Sequence, residues 1–212
     1  MKQITSLLLI ILLRTYLVSG QTDPAAVKVL DKFSGDAQAA PSVSIKFRLI
    51  TDDLAENKSD SVKGSVIISK DKYYLDLPDN KIWFDGAVSN SYLTNEQELT
   101  ITKPNKKDNS FQSKPSGIFT MYKKGYKARL VEEKSDSWII DLYPEDIKSE
   151  LVRVRLVLGK TKTDLKRLEY KRNDGIVVSV IVSDYNLQFK PGPDTFVFSR
   201  EKYPDADIID MR

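Results

Sequence analysis

From Ser42 to Leu49 the side chains alternate, with Val43, Ile45, Phe47 and Leu49 on one face and Ser44, Lys46 and Arg48 on the other. A period of two predicts an antiparallel strand that is buried on one side and wet on the other. The pattern returns over residues 62–69, where Val66 and Ile68 share a face, and over 73–77, where Tyr73, Leu75 and Leu77 do. Short strands are expected at 81–85, which holds Trp83 and Phe84, at 88–93 and at 99–102. After a polar stretch, strands are expected again at 127–132, 137–143, 151–158, 165–172 and 176–183, with a last one at 195–199. In the 151–158 strand, Val152, Val154, Leu156 and Leu158 oppose Arg153 and Arg155.

The punctuation between these runs is chemical. Asp85-Gly86 and Asn173-Asp174-Gly175 place a glycine where a tight hairpin needs positive φ. Residues 51–61, acidic and Asn-containing, read as a turn, and 103–114 as a polar surface loop. Two segments break the period of two. Asp23-Pro24 opens a helix of about four turns, because the carboxylate accepts from orphan N–H groups and proline at the first position loses no bond. Its apolar stripe is Ala26, Val27, Leu30 and Phe33, and it ends at Gly35 or runs on to Pro41. Residues 115–126 bring Ile118, Phe119, Met121 and Tyr122 together without alternation and suggest a second, short helix.

These elements predict a mainly β fold with short helices, α+β, built on one antiparallel sheet of about eleven strands. Strand twist accumulates, so a sheet that wide must curl or split. Curling makes an incomplete, half-closed β-barrel with the two helices as its lid; splitting makes a sandwich. The curled sheet is preferred.

Composition narrows the chemistry. The 212 residues contain no His and no Cys, which removes His- and thiol-based catalysis, disulfides and His- or thiolate-held metals. No cofactor or metal is expected, and no enzymatic activity. Asp141, Glu145 and Asp146 lie near Pro144 and read as turn residues, not as an acid–base pair. The first twenty residues differ from the rest: Lys2, the apolar run Ile4 to Leu13, then Val18-Ser19-Gly20, the pattern of a secretory signal peptide. A membrane anchor is the rival reading, but the run is about half of the roughly 20 apolar residues a spanning helix needs. The domain expected after cleavage is 21–212. Losing Lys2 and Arg14 takes the charge from +3 to +1, which leaves nucleic-acid binding without an electrostatic basis. Between Lys148 and Arg172, nine cations face Glu150, Asp164 and Glu169, read as a solvated strand face.

The order of several local features resembles the periplasmic outer-membrane lipoprotein carrier family, the LolA-like proteins. These are the capped helix before a strand with Phe47; Gly64 in the second strand; Trp83-Phe84-Asp85-Gly86 before a strand with Tyr92; Pro115 opening an apolar segment; Leu142-Tyr143-Pro144; and Phe196 and Phe198 before Pro204, Asp207 and Ile208. The resemblance implies an unclosed barrel with a helical lid whose apolar cavity holds lipoprotein acyl chains. Lys70-Asp71 stands about where such proteins often carry an Arg-Pro pair that latches the lid, so Lys70 is the latch candidate, without the planar fork of arginine.

The candidate acyl-binding set is Val43, Ile45, Phe47, Leu49, Val66, Ile68, Tyr73, Leu75, Phe84, Val154 and Leu156 on the sheet, with Ile118, Phe119, Met121 and Tyr122 on the lid. Each sheet residue taken singly reads by default as ordinary core, because any antiparallel sheet needs one buried face, and the cavity reading gains only collectively; Met and aromatics on the lid suit a surface that repacks around variable chains. The expected function is that of a soluble periplasmic carrier that binds the acyl chains of lipidated proteins and shuttles them from the inner to the outer membrane. Its implied partners are an inner-membrane lipoprotein-releasing transporter and an outer-membrane acceptor, and a monomer is expected. The alternative is an exported interaction or envelope-sensor domain of the same fold without a transported lipid. The small residues Val18 and Gly20 place cleavage before Gln21. N-terminal sequencing of the protein from the cell envelope should begin at Gln21; Met1 retained in a membrane fraction would contradict export as a free domain.

Overall fold

The computed structural model describes residues 22–104 and 111–212; the expected leader and Gln21 lie outside the described residues. The alternating stretches form strands β1 (Val43–Asp53), β2 (Lys58–Ser69), β3 (Lys72–Asp76), β4 (Asn80–Phe84), β5 (Ser89–Leu93) and β6 (Glu98–Thr102). The second half supplies β7 (Tyr126–Glu133), β8 (Ser137–Pro144), β9 (Leu151–Gly159), β10 (Leu165–Arg172), β11 (Ile176–Asn186) and β12 (Asp207–Asp210). All belong to one sheet in the order β12-β6-β5-β4-β3-β2-β1-β11-β10-β9-β8-β7. Neighbours are antiparallel except β12, which runs parallel to β6. The two ends of this order do not pair, so the sheet is open and not closed into a barrel.

The expected curl is present. Ile68, Tyr73 and Leu75 of β2 and β3 share one core with Ala128, Ile140 and Leu142 of β7 and β8. β3 and β8 stand six strands apart in the order, about 29 Å in a flat sheet. Only curvature about a common filling brings both into the same cluster. That filling is α1 (Pro24–Ala39), whose Ala26, Leu30, Phe33 and Ala37 are buried. Asp23 accepts from Ala25 N–H at 2.8 Å with Pro24 at the first position, as the sequence predicts. The helix runs through Gly35 and stops before Pro41. The hairpin glycines Gly86 and Gly175 have φ of 101° and 90°, values that a residue with a Cβ adopts only with strain.

Several expectations are corrected. Among the described residues there are twelve strands, not eleven. Residues 195–199 are turns: Thr195 N–H donates to Gly192 O and Val197 N–H to Asp194 O, so the backbone satisfies itself locally and needs no sheet partner. The last strand is Asp207–Asp210 instead. Phe198 packs with Tyr203 and Ala206 against Tyr74, Trp83 and Tyr92, forming a second apolar cluster on the face of β3 to β5 that points away from the helix. The 51–61 turn shrinks to four residues because the Asp53 carboxylate accepts from Ala55 and Glu56 N–H at 3.0 Å each. The second helix is two 3-10 turns, Pro115–Phe119 and Met121–Lys123; so short a segment with Pro115 and Gly117 cannot sustain an α-helix.

Asp141 is not a turn residue. It lies in β8, 1% exposed, directly opposite Arg155 in register, which donates to it from two nitrogens at 2.7 and 2.8 Å. Tyr143 O–H adds a third bond at 3.1 Å. Arg153 and Arg167 both reach Glu169. Much of the basic 148–172 stretch is thus neutralised by carboxylates on the same or neighbouring strands or the turns beside them. Val152 is 46% exposed at the start of β9, where a register shift pairs its neighbours Leu151 and Arg153 with consecutive residues of β10 and breaks the alternation.

Gly64 is hemmed in by core side chains and backbone. A Cβ there would lie 2.6 Å from Leu77 Cδ2 and 3.0 Å from both the Asp76 carbonyl oxygen and Phe47 Cε2. Around Gly35, in the middle of α1, nothing lies within 4 Å of such a Cβ. Gly64→Ala is expected to lower stability by about 1–3 kcal/mol, and Gly35→Ala to raise it by about 0.5–1 kcal/mol. Urea midpoints of the two variants should move in opposite directions.

Candidate functional site

The concave face of the sheet and its cover form the candidate site. Alternation assigns the face: in β1, Val43, Ile45, Phe47 and Leu49 point inward while Lys46 and Arg48 are exposed. Antiparallel register then aligns the neighbours. Ile45 faces Val66, and Val43 faces Ile68; Val66 faces Leu75, and Ile68 faces Tyr73; Tyr73 faces Phe84. On the other side Leu156 faces Leu168, and Val154 faces Tyr170. One contiguous apolar surface results. Thirteen of the fifteen residues singled out from the sequence are buried in one cluster, and the other two, Phe84 and Met121, are half-buried against it.

Three short pieces cover this face. α1 presses Leu30 and Phe33 into it. The 3-10 turns contribute Ile118, Phe119 and Tyr122. Phe111 supplies the third piece, 4% exposed and edge-on to Phe47 with ring centroids 5.4 Å apart. Phe33 joins the pieces: its ring lies 5.3 Å from Phe119 and 6.3 Å from Tyr185 of β11.

Few polar bonds hold the cover. Tyr122 O–H donates to Asp31 Oδ1 of α1 at 2.5 Å. Tyr73 O–H donates to the Ser113 carbonyl at 3.1 Å. Asp23 anchors the other end of the helix to edge strand β7, accepting from Leu130 N–H at 3.1 Å through Oδ2 while its own N–H donates to Ala128 O at 2.8 Å. Burial, and after it the bond to Asp31, pushes the Tyr122 phenol up to about 12. Lys70 sits in the β2–β3 turn with φ of 54°. Its side chain is exposed and forms no hydrogen bond or ion pair among the described residues.

Two participants are hidden from the sequence reading. Phe111 falls in the stretch read as a polar surface loop, yet it is core; a lone aromatic in a run of Lys, Asp, Asn and Ser is the available signal. Asp31 reads as an ordinary exposed helix residue, and nothing in one dimension pairs it with Tyr122, 91 positions away.

Among the described residues no helix is long and apolar enough to cross a membrane. The family model described as outer membrane lipoprotein carrier protein LolA matches residues 18–158. No curated protein matches the sequence. Among solved structures, an uncharacterized conserved protein from Thermus thermophilus superposes with a TM-score of 0.59 at 11% identity, over 88% of this chain and 99% of that one. A putative outer membrane lipoprotein-sorting protein domain from Vibrio parahaemolyticus gives 0.46 at 9% identity, over 82% and 96%. The LolA superfamily protein NE2245 from Nitrosomonas europaea gives 0.43 at 12%, over 80% and 96%. At 11% identity the Thermus thermophilus structure testifies to the fold alone. The family model spans well over half of the sequence, from before α1 to the end of β9, and on that match the chain belongs to the LolA family of outer membrane lipoprotein carrier proteins.

Proposed function

We propose that this protein is a soluble periplasmic carrier that takes the acyl chains of lipidated proteins between the concave sheet face and its cover, and shuttles them from the inner to the outer membrane. The observation that carries this reading is the nature of the cover. It consists of one helix, two 3-10 turns and a lone phenylalanine, held by aromatic contacts between helix and turn and between Phe111 and the sheet, and by a handful of polar bonds. Such a cover shares no ladder with the sheet, so it moves without breaking strand pairing.

Phe33, Phe119, Ile118 and Phe111 then act as surrogates for cargo in the empty protein and give way to acyl chains. Each methylene buried contributes about 0.8 kcal/mol, and several long chains would bind too tightly to be released. Displacing the aromatic cover offsets part of that gain, which keeps net affinity between that of a donor and an acceptor. The releasing transporter and the outer-membrane acceptor implied by the family are the partners of this cycle. Lys70 has no part in holding the cover closed in this reading; Tyr122 and Asp31 do.

The Tyr122–Asp31 bond makes the cover sensitive to alkali. The folded-state value of Tyr122 lies above the ordinary tyrosine value near 10, so the stability it contributes is complete below pH 10 and is lost as pH rises through about 12. Tyr122→Phe keeps the ring and removes the bond. It is expected to cost about 1 kcal/mol at neutral pH, with the gap to wild type narrowing between pH 10 and 12 in urea titrations. A gap that stays constant with pH would mean the bond does not hold the cover.

The carrier reading itself is tested by tethering. The chain has no cysteine, so Asp31→Cys with Tyr122→Cys can be bridged by a short bismaleimide with a cleavable centre. A fluorescent lipopeptide should bind the unbridged protein saturably, fail to bind the bridged one, and bind again after cleavage, with circular dichroism unchanged throughout. Equal binding by bridged and unbridged protein would exclude the cover as the gate.

A further inference from the structure

The face of β1 and β2 that points away from the helix carries a second concavity. It is an open depression of about 690 Å³ between β11, β1, β2 and the residues at and just after the end of β3, within the range of small-ligand sites. Lys46, Arg48, Lys63 and Ser65 line it with outward-pointing side chains. Register places Arg48 directly opposite Lys63, and Lys46 opposite Ser65. Directly opposed residues have Cβ atoms about 5 Å apart, and alternate residues on a strand are about 7 Å apart. Three cations therefore stand at the corners of one small triangle.

Among the described residues none of them forms an ion pair. No described carboxylate lies within 4 Å of Lys46, Arg48 or Lys63. The one acid lining the concavity, Asp76, is already paired with Lys81, and Asp184, opposite Lys46 in register, makes no ion pair. The contrast with the rest of the same face is informative. Between β8 and β10, Arg153, Arg155 and Arg167 each have a carboxylate partner. Like charges directly opposed on a sheet destabilise it, so the Arg48–Lys63 pair is a local cost that packing does not explain.

We propose that this trough binds a phosphate monoester. A triangle this small converges on one compact polyvalent anion, not on a peptide whose carboxylates are spread along an extended chain. The Arg48 guanidinium offers the planar fork that grips two phosphate oxygens, the two lysines add point charge, and the Ser65 hydroxyl is a further donor. The same chemistry occurs on a soluble phosphate ester and on a lipid headgroup. The site lies on the opposite face from the acyl-binding surface and stands or falls independently of it.

The test uses glycerol 3-phosphate in calorimetry, and phosphatidylcholine vesicles with and without phosphatidic acid in co-sedimentation. The wild-type protein should bind the soluble ester, the phosphatidic acid vesicles or both, which also identifies the source of the phosphate. Arg48→Gln with Lys63→Gln should weaken that binding at least about tenfold, while its urea midpoint stays level or rises because the opposed charges are gone. Lys171→Gln, an exposed cation elsewhere on the sheet, should change nothing, and lipopeptide binding should be the same in all variants. If the double variant does not fold, Lys46→Gln alone gives the same reading. Wild-type protein that binds neither probe, or a folded trough variant that binds as tightly as wild type, would overturn the site.

Discussion

The contact of Phe33 with Phe119 on one side and Tyr185 on the other answers the constraint from which the rest of this structure follows. A twelve-stranded open sheet has a wide apolar face that no sheet partner covers, and leaving it in water forfeits about 25 cal/mol for each Å² exposed. A single sixteen-residue helix is narrower than that face. The sheet curls to meet it, and the segment between β6 and β7 closes the remainder. Asp23 is central to this solution because one carboxylate caps α1 through Oδ1 and ties it to edge strand β7 through Oδ2.

The two faces of the sheet are managed by different physics. Inside, burial dominates and polar bonds between the cover and the sheet are sparse. Outside, the β3 to β6 end is sealed by an aromatic cluster from the C-terminal segment, and the β8 to β10 part is laced by ion pairs centred on Asp141 and Glu169. Between them Lys46, Arg48 and Lys63 form no ion pair among the described residues. An anion-binding trough on the outer face beside a lipid-binding surface on the inner one would let a single chain respond to both the apolar and the charged parts of an amphiphile.

Local chemistry decided much of this, and it was readable residue by residue. Alternation in β1 assigned Phe47 inward and Lys46 outward because the side-chain period of a strand admits only two faces. The Asp23-Pro24 cap and the two hairpin glycines worked for the same reason: each is a backbone requirement met by adjacent residues. The apolar members of the site were legible as a class, since a residue that alternates with charge must be buried somewhere.

What the sequence could not decide were the pairings made across long stretches of chain. Whether Phe198 lies along a strand or folds in from a turn depended on the aromatic surface of Trp83 and Tyr92 waiting more than a hundred residues earlier. Phe111 became core because Phe47 offered its ring an edge, and Asp141 became a buried ion because register set Arg155 opposite it. The sequence by itself determined the strands, the helix and the inward faces, for these rest on neighbours a few residues apart. Tertiary structure alone decided which distant groups meet, because burial and ion pairing are settled by the curl of the sheet, which no short segment encodes.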